Sequence, residues 1–237
     1  VLLNLFAGRH CRQAISGIRS LEKILPSPHS RFAIPFVFRG KGLFRTIEPR
    51  QNPVEIERCF HAICKLRPRL VLEIGTAEGG SLYLWTQAAE DDAKILSVDL
   101  PGGDFGGAYP ECRVTLYRAF ARRGQTVELI RADSHASDTR ERVRKFFENT
   151  SLDFLFIDGD HSYEGVKADF EQYGSLVRQG GLIGFHDIMP RADCPEIQVN
   201  RLWRKLEVKY ECQAIVAPDG GGRRIGIGLL RVPEGGI

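Results

Sequence analysis

The stretch that decides the fold runs from residue 70 to residue 90, "LVLEIGTAEGGSLYLWTQAAE". Its first five residues are an apolar run that stops at glycines, which predicts a short buried strand over 70–74. Residues 80–90 suit a helix. The glycines between them permit a tight turn and close approach by a ligand, and a helix start offers free N–H groups. A plain strand-to-helix turn has the same outline, so the loop alone assigns no ligand. Working outward, the same alternation recurs. "KILSVD" (94–99), "VELI" (127–130), "DFLFI" (153–157) and "LIGFH" (182–186) read as strands. Helical patterns over 53–66, 111–123, 138–149, 163–179 and 196–210 flank or separate them. Pro53 falls in a first helical turn. In 163–179, Val166, Phe170, Tyr173 and Val177 share one face, and Gly180 and Gly181 end the helix. Strands alternating with helices predict a doubly wound α/β fold with a mostly parallel sheet. The end departs from the rule. "CQAIVA" (212–217) and "RIGIGLL" (224–230) are joined by a link too short for a crossover. These two strands must pair antiparallel, which brings the sheet to seven strands.

Composition sets wider bounds. The 237 residues are 43% hydrophobic and 27% charged, an ordinary globular balance, with a formal net charge of +3. No long Lys/Arg block occurs, so no nucleic-acid partner is expected. No apolar run approaches the ~20 residues that span a bilayer, so no membrane partner is expected either. "VLLNLFAGRH" is interrupted by Asn4 and Arg9 and lacks a cleavage pattern, which argues against a signal peptide. A start at Val1 reads as trimmed or processed. The six cysteines form no C-x-x-C pair, so free thiols and a cytoplasmic location are expected. Residues 1–52 form an irregular N-terminal extension. "GIRSLEKIL" (17–25) is one helical piece, and a Pro-, Gly- and aromatic-rich segment follows. The extension is a strap on the core or a lid over a substrate pocket. Residues 53–237 form the main domain.

Ligands of such sheets bind beyond the carboxyl ends of the strands. Three successive strand ends here carry acids: Glu73, Asp99 and Asp133. A carboxylate at Glu73, two residues before Gly75, suits an ammonium group better than a pyrophosphate. Asp99 can accept from two ribose hydroxyls, and Asp133 can face an adenine amino group. The glycine pattern is Gly75-x-Ala77-x-x-Gly80, with alanine where a dinucleotide fingerprint has its middle glycine. This set suits adenosine bearing a cationic amino-acid tail. Glycine-rich "PGGDFGGAYPE" (101–111) is either a cover for that ligand or merely a loop.

On "LEIGTAEGG", "SVD", "RADS" and "FIDGDH", the chain resembles the class I S-adenosylmethionine-dependent methyltransferases over about residues 53–231. The resemblance implies a Rossmann-like sheet with an antiparallel last strand. It also implies a cofactor site of Glu73, Gly75, Thr76, Ala77, Gly79, Ser81, Asp99, Asp133, Ser134 and Asp158.

A second site lies in "IDGDHSYEG" and "GGLIGFHDI". The strands ending at Ile157 and His186 are expected as neighbours, so Asp158, His186 and Asp187 converge beside the cofactor loop. Two carboxylates and an imidazole suit a divalent cation, Mg²⁺ or else Mn²⁺. These two segments resemble the metal-dependent small-molecule O-methyltransferases associated with macrolide sugars and other natural products, and cephalosporin-hydroxylase-like proteins. That likeness implies metal ligands at Asp158, His186 and Asp187, and a general base at His161. His186 stands where relatives commonly carry an acid. Asp160 is a supporting residue or a helix cap, and His61 and His135 receive no role. The expected function is methyl transfer to a hydroxyl of a small molecule. Sugar, phenol, polyketide and fatty-acyl acceptors all stay open, as does homo-oligomerisation. An NAD-dependent oxidoreductase and a cofactor-binding subunit without transfer activity are the competing readings. Ala77, Glu73 and the terminal strand pair weigh against the first.

Overall fold

The structure is a computed structural model that describes residues 2–102, 109–219 and 223–237, with the side chains of 2–6 left out. Most of the glycine-rich stretch 101–111 therefore lies outside the described residues. Seven strands form one sheet: β1 (Leu70–Ile74), β2 (Lys94–Asp99), β3 (Thr126–Arg131), β4 (Leu152–Ile157), β5 (Val177–His186), β6 (Cys212–Ile215) and β7 (Ile227–Arg231). Their order across the sheet is β3-β2-β1-β4-β5-β7-β6. The first five pair parallel, so their carboxyl ends share one edge. Strand β7 runs antiparallel to both β5 and β6, as the short final link requires.

Period two divides the sheet's side chains between two cores. Val71, Ile95, Phe154 and Phe156 face one way, onto α1 (Leu2–Ile24), α4 (Pro53–Leu66), α5 (Gly80–Ala88) and α6 (Val114–Arg118). Leu72, Ile74, Leu155 and Ile157 face the other, onto α7 (Ser137–Phe146), α8 (Tyr163–Tyr173) and α9 (Val199–Lys209). Helix α5 is buried along its whole length, which its near-continuous apolar sequence permits.

Three local readings change. The helix placed over 17–25 runs from Leu2 to Ile24. It buries the small residues Cys11 and Ala14 with Ile18, and Arg19 bonds the carbonyls of Ala119 and Ala121 beyond α6. Helix 163–179 ends earlier, at Tyr173, and Val177 starts β5 opposite Leu152. Gly180 (φ +73°) and Gly181 thus lie inside β5, at an irregularity in its register with β4. Two short helices, α2 (Pro28–Arg31) and α3 (Ile34–Val37), lead back towards the sheet edge. Asn52 caps α4 through the N–H of Val54, with Pro53 in the first turn as expected. In the same turn Glu55, fully buried, accepts from the N–H groups of Ala217 and Gly226. That carboxylate clamps the base of the β6–β7 connection beside the strand ends. Among the described residues no helix is long and apolar enough to cross a membrane.

Candidate active site

A cavity of about 720 Å³ opens at the carboxyl edge of the parallel strands. That size falls within the ~300–1,000 Å³ of small-molecule sites. At one end its wall is Gly75, Ala77, Asp99, Asp133, Ser134 and His135. At the other, Asp158, His161, His186 and Asp187 meet Arg50, Arg191 and Arg223.

The first end is built by the loop after β1. Gly75 has φ +93°, and a Cβ there would lie 2.0 Å from the Asp158 carbonyl oxygen, so only glycine fits. Ala77 also has a positive φ, +43°, in a region that costs a non-glycine residue ~1–2 kcal/mol. Two bonds hold it there: its N–H donates to Asp99 Oδ2, and its carbonyl accepts from the Tyr117 hydroxyl, each at 2.8 Å. Asp99 Oδ2 accepts from Thr76 N–H as well. Burial pushes the Asp99 carboxyl up to about 6, against the pull of those backbone donors.

Glu73 does not reach the cavity wall. It is fully buried beneath the loop, where its carboxylate accepts from Trp85 Nε1 (3.0 Å) and Ser97 Oγ (2.6 Å). Ser97 bonds in turn to Thr76 Oγ1. Burial raises the Glu73 carboxyl to about 7, partly offset by its hydroxyl and indole donors. Glu73 thus props the loop from below. Thr76 and Ser81 line a smaller crevice beside the loop, and Gly79 (φ +82°) is the N-cap of α5, with its Cα against the Tyr117 ring. Asp133 lies at the far wall, accepting from the N–H of His135.

The second end concentrates charge. Asp158, just past β4, has Gln51 Nε2 on one carboxylate oxygen and His186 Nδ1 (2.8 Å) on the other. His161 Nδ1 donates to Asp187 Oδ2 at 2.7 Å, and its Nε2 is 3.5 Å from Asp158 Oδ1. Asp187, with φ +60°, also takes Arg191 Nη1 at 3.0 Å. Burial opposes charge on His186, but the two carboxylates outweigh it and hold the imidazole at about 10. His161 is likewise raised against burial, chiefly by its bond to Asp187. Burial would raise Asp187, yet both histidines hold it well below the usual carboxylate range.

Ligand atoms of Asp158, His161 and Asp187 lie within 4.8 Å of one another, a grouping that fits a metal ion. His186 stands outside that trio; its Nδ1 faces Asp158 and its buried Nε2 has no hydrogen-bond partner among the described residues. Two carboxylates and an imidazole converge on one point, and a divalent cation would offset the charge of the two carboxylates, so the donor set suits one. The helix cap of α8 is Ser162, which accepts from Gly165 N–H, while Asp160 accepts from Ser162 N–H. Neither is His161, whose ring is turned into the site. Sequence reading missed Gln51, His135, Arg191 and Arg223. Only His135, two residues past a strand-end acid, carried a positional hint.

Residues 72–188 match a family model described as a methyltransferase domain. Residues 72–188 thus carry a methyltransferase domain, on a sheet ordered as in Rossmann-like methyltransferases. An uncharacterised Sinorhizobium fredii protein, y4gI, is 35% identical over 126 residues, 52% of this chain. The chain spans only 13% of that relative's length. Among solved structures, an O-methyltransferase of Bacillus cereus in complex with S-adenosylhomocysteine (SAH) superposes with a TM-score of 0.58 at 16% identity, covering 94% of this chain and 99% of that one. The O-methyltransferase TomG of Streptomyces achromogenes, in complex with S-adenosylmethionine and involved in tomaymycin synthesis, gives 0.56 at 16%, covering 87% and 89%. At such identities the likeness is one of fold.

Asp99 is a direct test of whether this end of the cavity receives the nucleoside. Asp99→Ala is expected to weaken SAH binding ~10–100-fold, as the loss of a charged hydrogen bond implies. It should also lower the melting temperature, since the Thr76 and Ala77 N–H groups lose their acceptor. Asp99→Asn keeps an acceptor oxygen and should restore stability but not affinity. Calorimetry showing wild-type affinity in both variants would remove Asp99 from the cofactor site.

Proposed function

We propose that the protein transfers the methyl group of S-adenosylmethionine to a hydroxyl oxygen of a small molecule, a natural product or a sugar. The observation that carries this reading is the pairing of His161 with Asp187 at 2.7 Å, beside Asp158, in one cavity with the β1 loop. With Nδ1–H directed at Asp187, His161 presents Nε2 as a base oriented by a third group, the arrangement that activates weak nucleophiles. His161 Nε2 takes the hydroxyl proton, the oxygen attacks the methyl carbon, and the sulfonium S–C bond breaks. The products are a methyl ether, SAH and a proton on the imidazole. Asp158 and Asp187 would hold a divalent cation, Mg²⁺ or Mn²⁺, which when bound lowers the pKa of a coordinated hydroxyl. His186 orients Asp158 through Nδ1, and Gln51 does so on the other oxygen. Gly75, Ala77, Asp99, Asp133 and Ser134 face the cofactor, while Glu73, Thr76, Gly79 and Ser81 shape the loop that receives it. We read residues 1–52 as an extension that closes one flank of the site through Arg50 and Gln51, and residues 53–237 as the cofactor-binding domain. The free state of all six cysteines supports a reducing, cytoplasmic setting.

Turnover is expected to stop on exhaustive chelation with EDTA and to return with Mg²⁺ or Mn²⁺, while SAH binds throughout. Release of SAH from S-adenosylmethionine with a panel of hydroxylated acceptors is the readout. Full turnover under chelation would refute the role of the cation. Failure to bind SAH at all would refute methyl transfer.

A further inference from the structure

Asp193, two residues beyond the cavity wall, is held by two guanidinium groups at once. Arg191 places Nε 3.1 Å from its Oδ1 and Nη2 3.4 Å from its Oδ2, a forked contact. Arg223 Nη2 bonds the same Oδ2. Both arginines line the cavity, at the end that holds His161. Resting on the methyl-transfer reading above, we infer that the acceptor bears an anionic group, a carboxylate or a phosphate, near its hydroxyl, and that Arg191 and Arg223 bind it.

Arg191 divides its donors between Asp187 and Asp193, while Arg223 pairs with Asp193, so the Arg223 guanidinium is the cation that a substrate anion can take over. Arg191 is rigid: its side chain is 9% exposed, and Nη1 is bonded to Asp187. That bond ties the subsite to the reacting centre. The base of Arg223 is also fixed. Its carbonyl accepts from Asn52 Nδ2 (2.9 Å), and the neighbouring Ile225 carbonyl accepts from Met189 N–H (2.9 Å). The Arg223 side chain is 54% exposed, and Asp193 58%. An exposed, solvent-screened pair contributes little, so Asp193 is exchangeable for a substrate anion. Guanidinium forks match the planar geometry of a carboxylate and the oxygens of a phosphate, which an uncharged acceptor cannot use. Arg50, also on the wall, is already paired with Glu78.

The experiment measures binding to protein saturated with SAH, by calorimetry. The probes are 4-hydroxybenzoate, 4-hydroxyphenyl phosphate and the uncharged 4-hydroxybenzamide. The better anion is expected to bind at least ~10-fold more tightly than the amide, the worth of a charge-assisted bond. Carboxylate against phosphate identifies the source of the charge. Arg223→Glu should abolish the preference. Asp193→Asn should widen it several-fold, because the internal carboxylate no longer competes. Equal binding of all three probes, binding of none, or a preference that survives Arg223→Glu overturns the inference while leaving methyl transfer intact. Failure of SAH to bind overturns both.

Discussion

His161→Ala is expected to slow methyl transfer ~10²–10⁴-fold, the usual worth of a general base, with SAH affinity unchanged. Its ring contacts Asp158 and Asp187 at the charged end of the cavity. The pH profile carries the sign. Only the neutral imidazole accepts a proton, so the wild-type rate rises with pH as the ring deprotonates. In the metal-free site Asp187 and Asp158 favour the charged ring and override burial, and a bound cation would draw the limb back towards the ordinary imidazole value of ~6.5. The variant should lose the limb. Cation affinity decides between base and ligand. Because Asp158 and Asp187 are assigned the cation, Mg²⁺ should bind the alanine variant nearly as well as wild type. A variant whose turnover returns at high Mg²⁺ would make His161 a ligand instead. Wild-type single-turnover rates without extra metal would sink both roles.

The sheet was legible because its signals are local. Each strand is a short apolar run stopped by glycine or acid, and the final link excludes a crossover. Helix α1 was legible only over its last eight residues, 17–24. Its core face rests on Cys11 and Ala14, residues too small to stand out as an apolar stripe. Val177 fits helical spacing from Tyr173 equally well as a strand start, and pairing with Leu152 decides the matter. At the site, Asp158, His161, His186 and Asp187 could be read because each lies at or just past a strand end. Glu73 shows what strand ends leave open. It shares its face with Val71 and pairs in register with Ser97, so it points into the core beneath Trp85. Its parity, rather than its nearness to the glycines, sets its role. Gln51 meets Asp158 across 107 positions, and Asn52 meets Arg223 across 171. No local pattern encodes such contacts.

Gly75→Ala is expected to cost the second large loss, in stability and cofactor binding together. The added Cβ would lie 2.0 Å from the carbonyl oxygen of Asp158, 2.5 Å from its carbonyl carbon and 3.0 Å from Gly159 N. All are backbone atoms of the neighbouring loop, so no side chain can swing away. That loop is itself held, because Asp158 N–H donates to the Ile74 carbonyl at 2.8 Å. Relief requires either β1 or β4 to shift at its end. A positive φ costs alanine ~1–2 kcal/mol, and overpacking adds ~1–3 kcal/mol. The sum is a large share of the ~5–15 kcal/mol of a folded domain. Gly235→Ala supplies the control. Gly235 has φ +91°, nearly that of Gly75, with nothing within 4 Å of its Cβ position. It isolates the backbone cost, and the excess loss in Gly75→Ala measures the clash. The shift also displaces both the loop that carries Ala77 and the carboxylate of Asp158, so SAH affinity should fall at least ~100-fold, about 2.7 kcal/mol. If Gly75→Ala melted with Gly235→Ala and bound SAH as wild type does, the two loops would not be locked together, and the cofactor and acceptor ends of the cavity would not be set by a single contact.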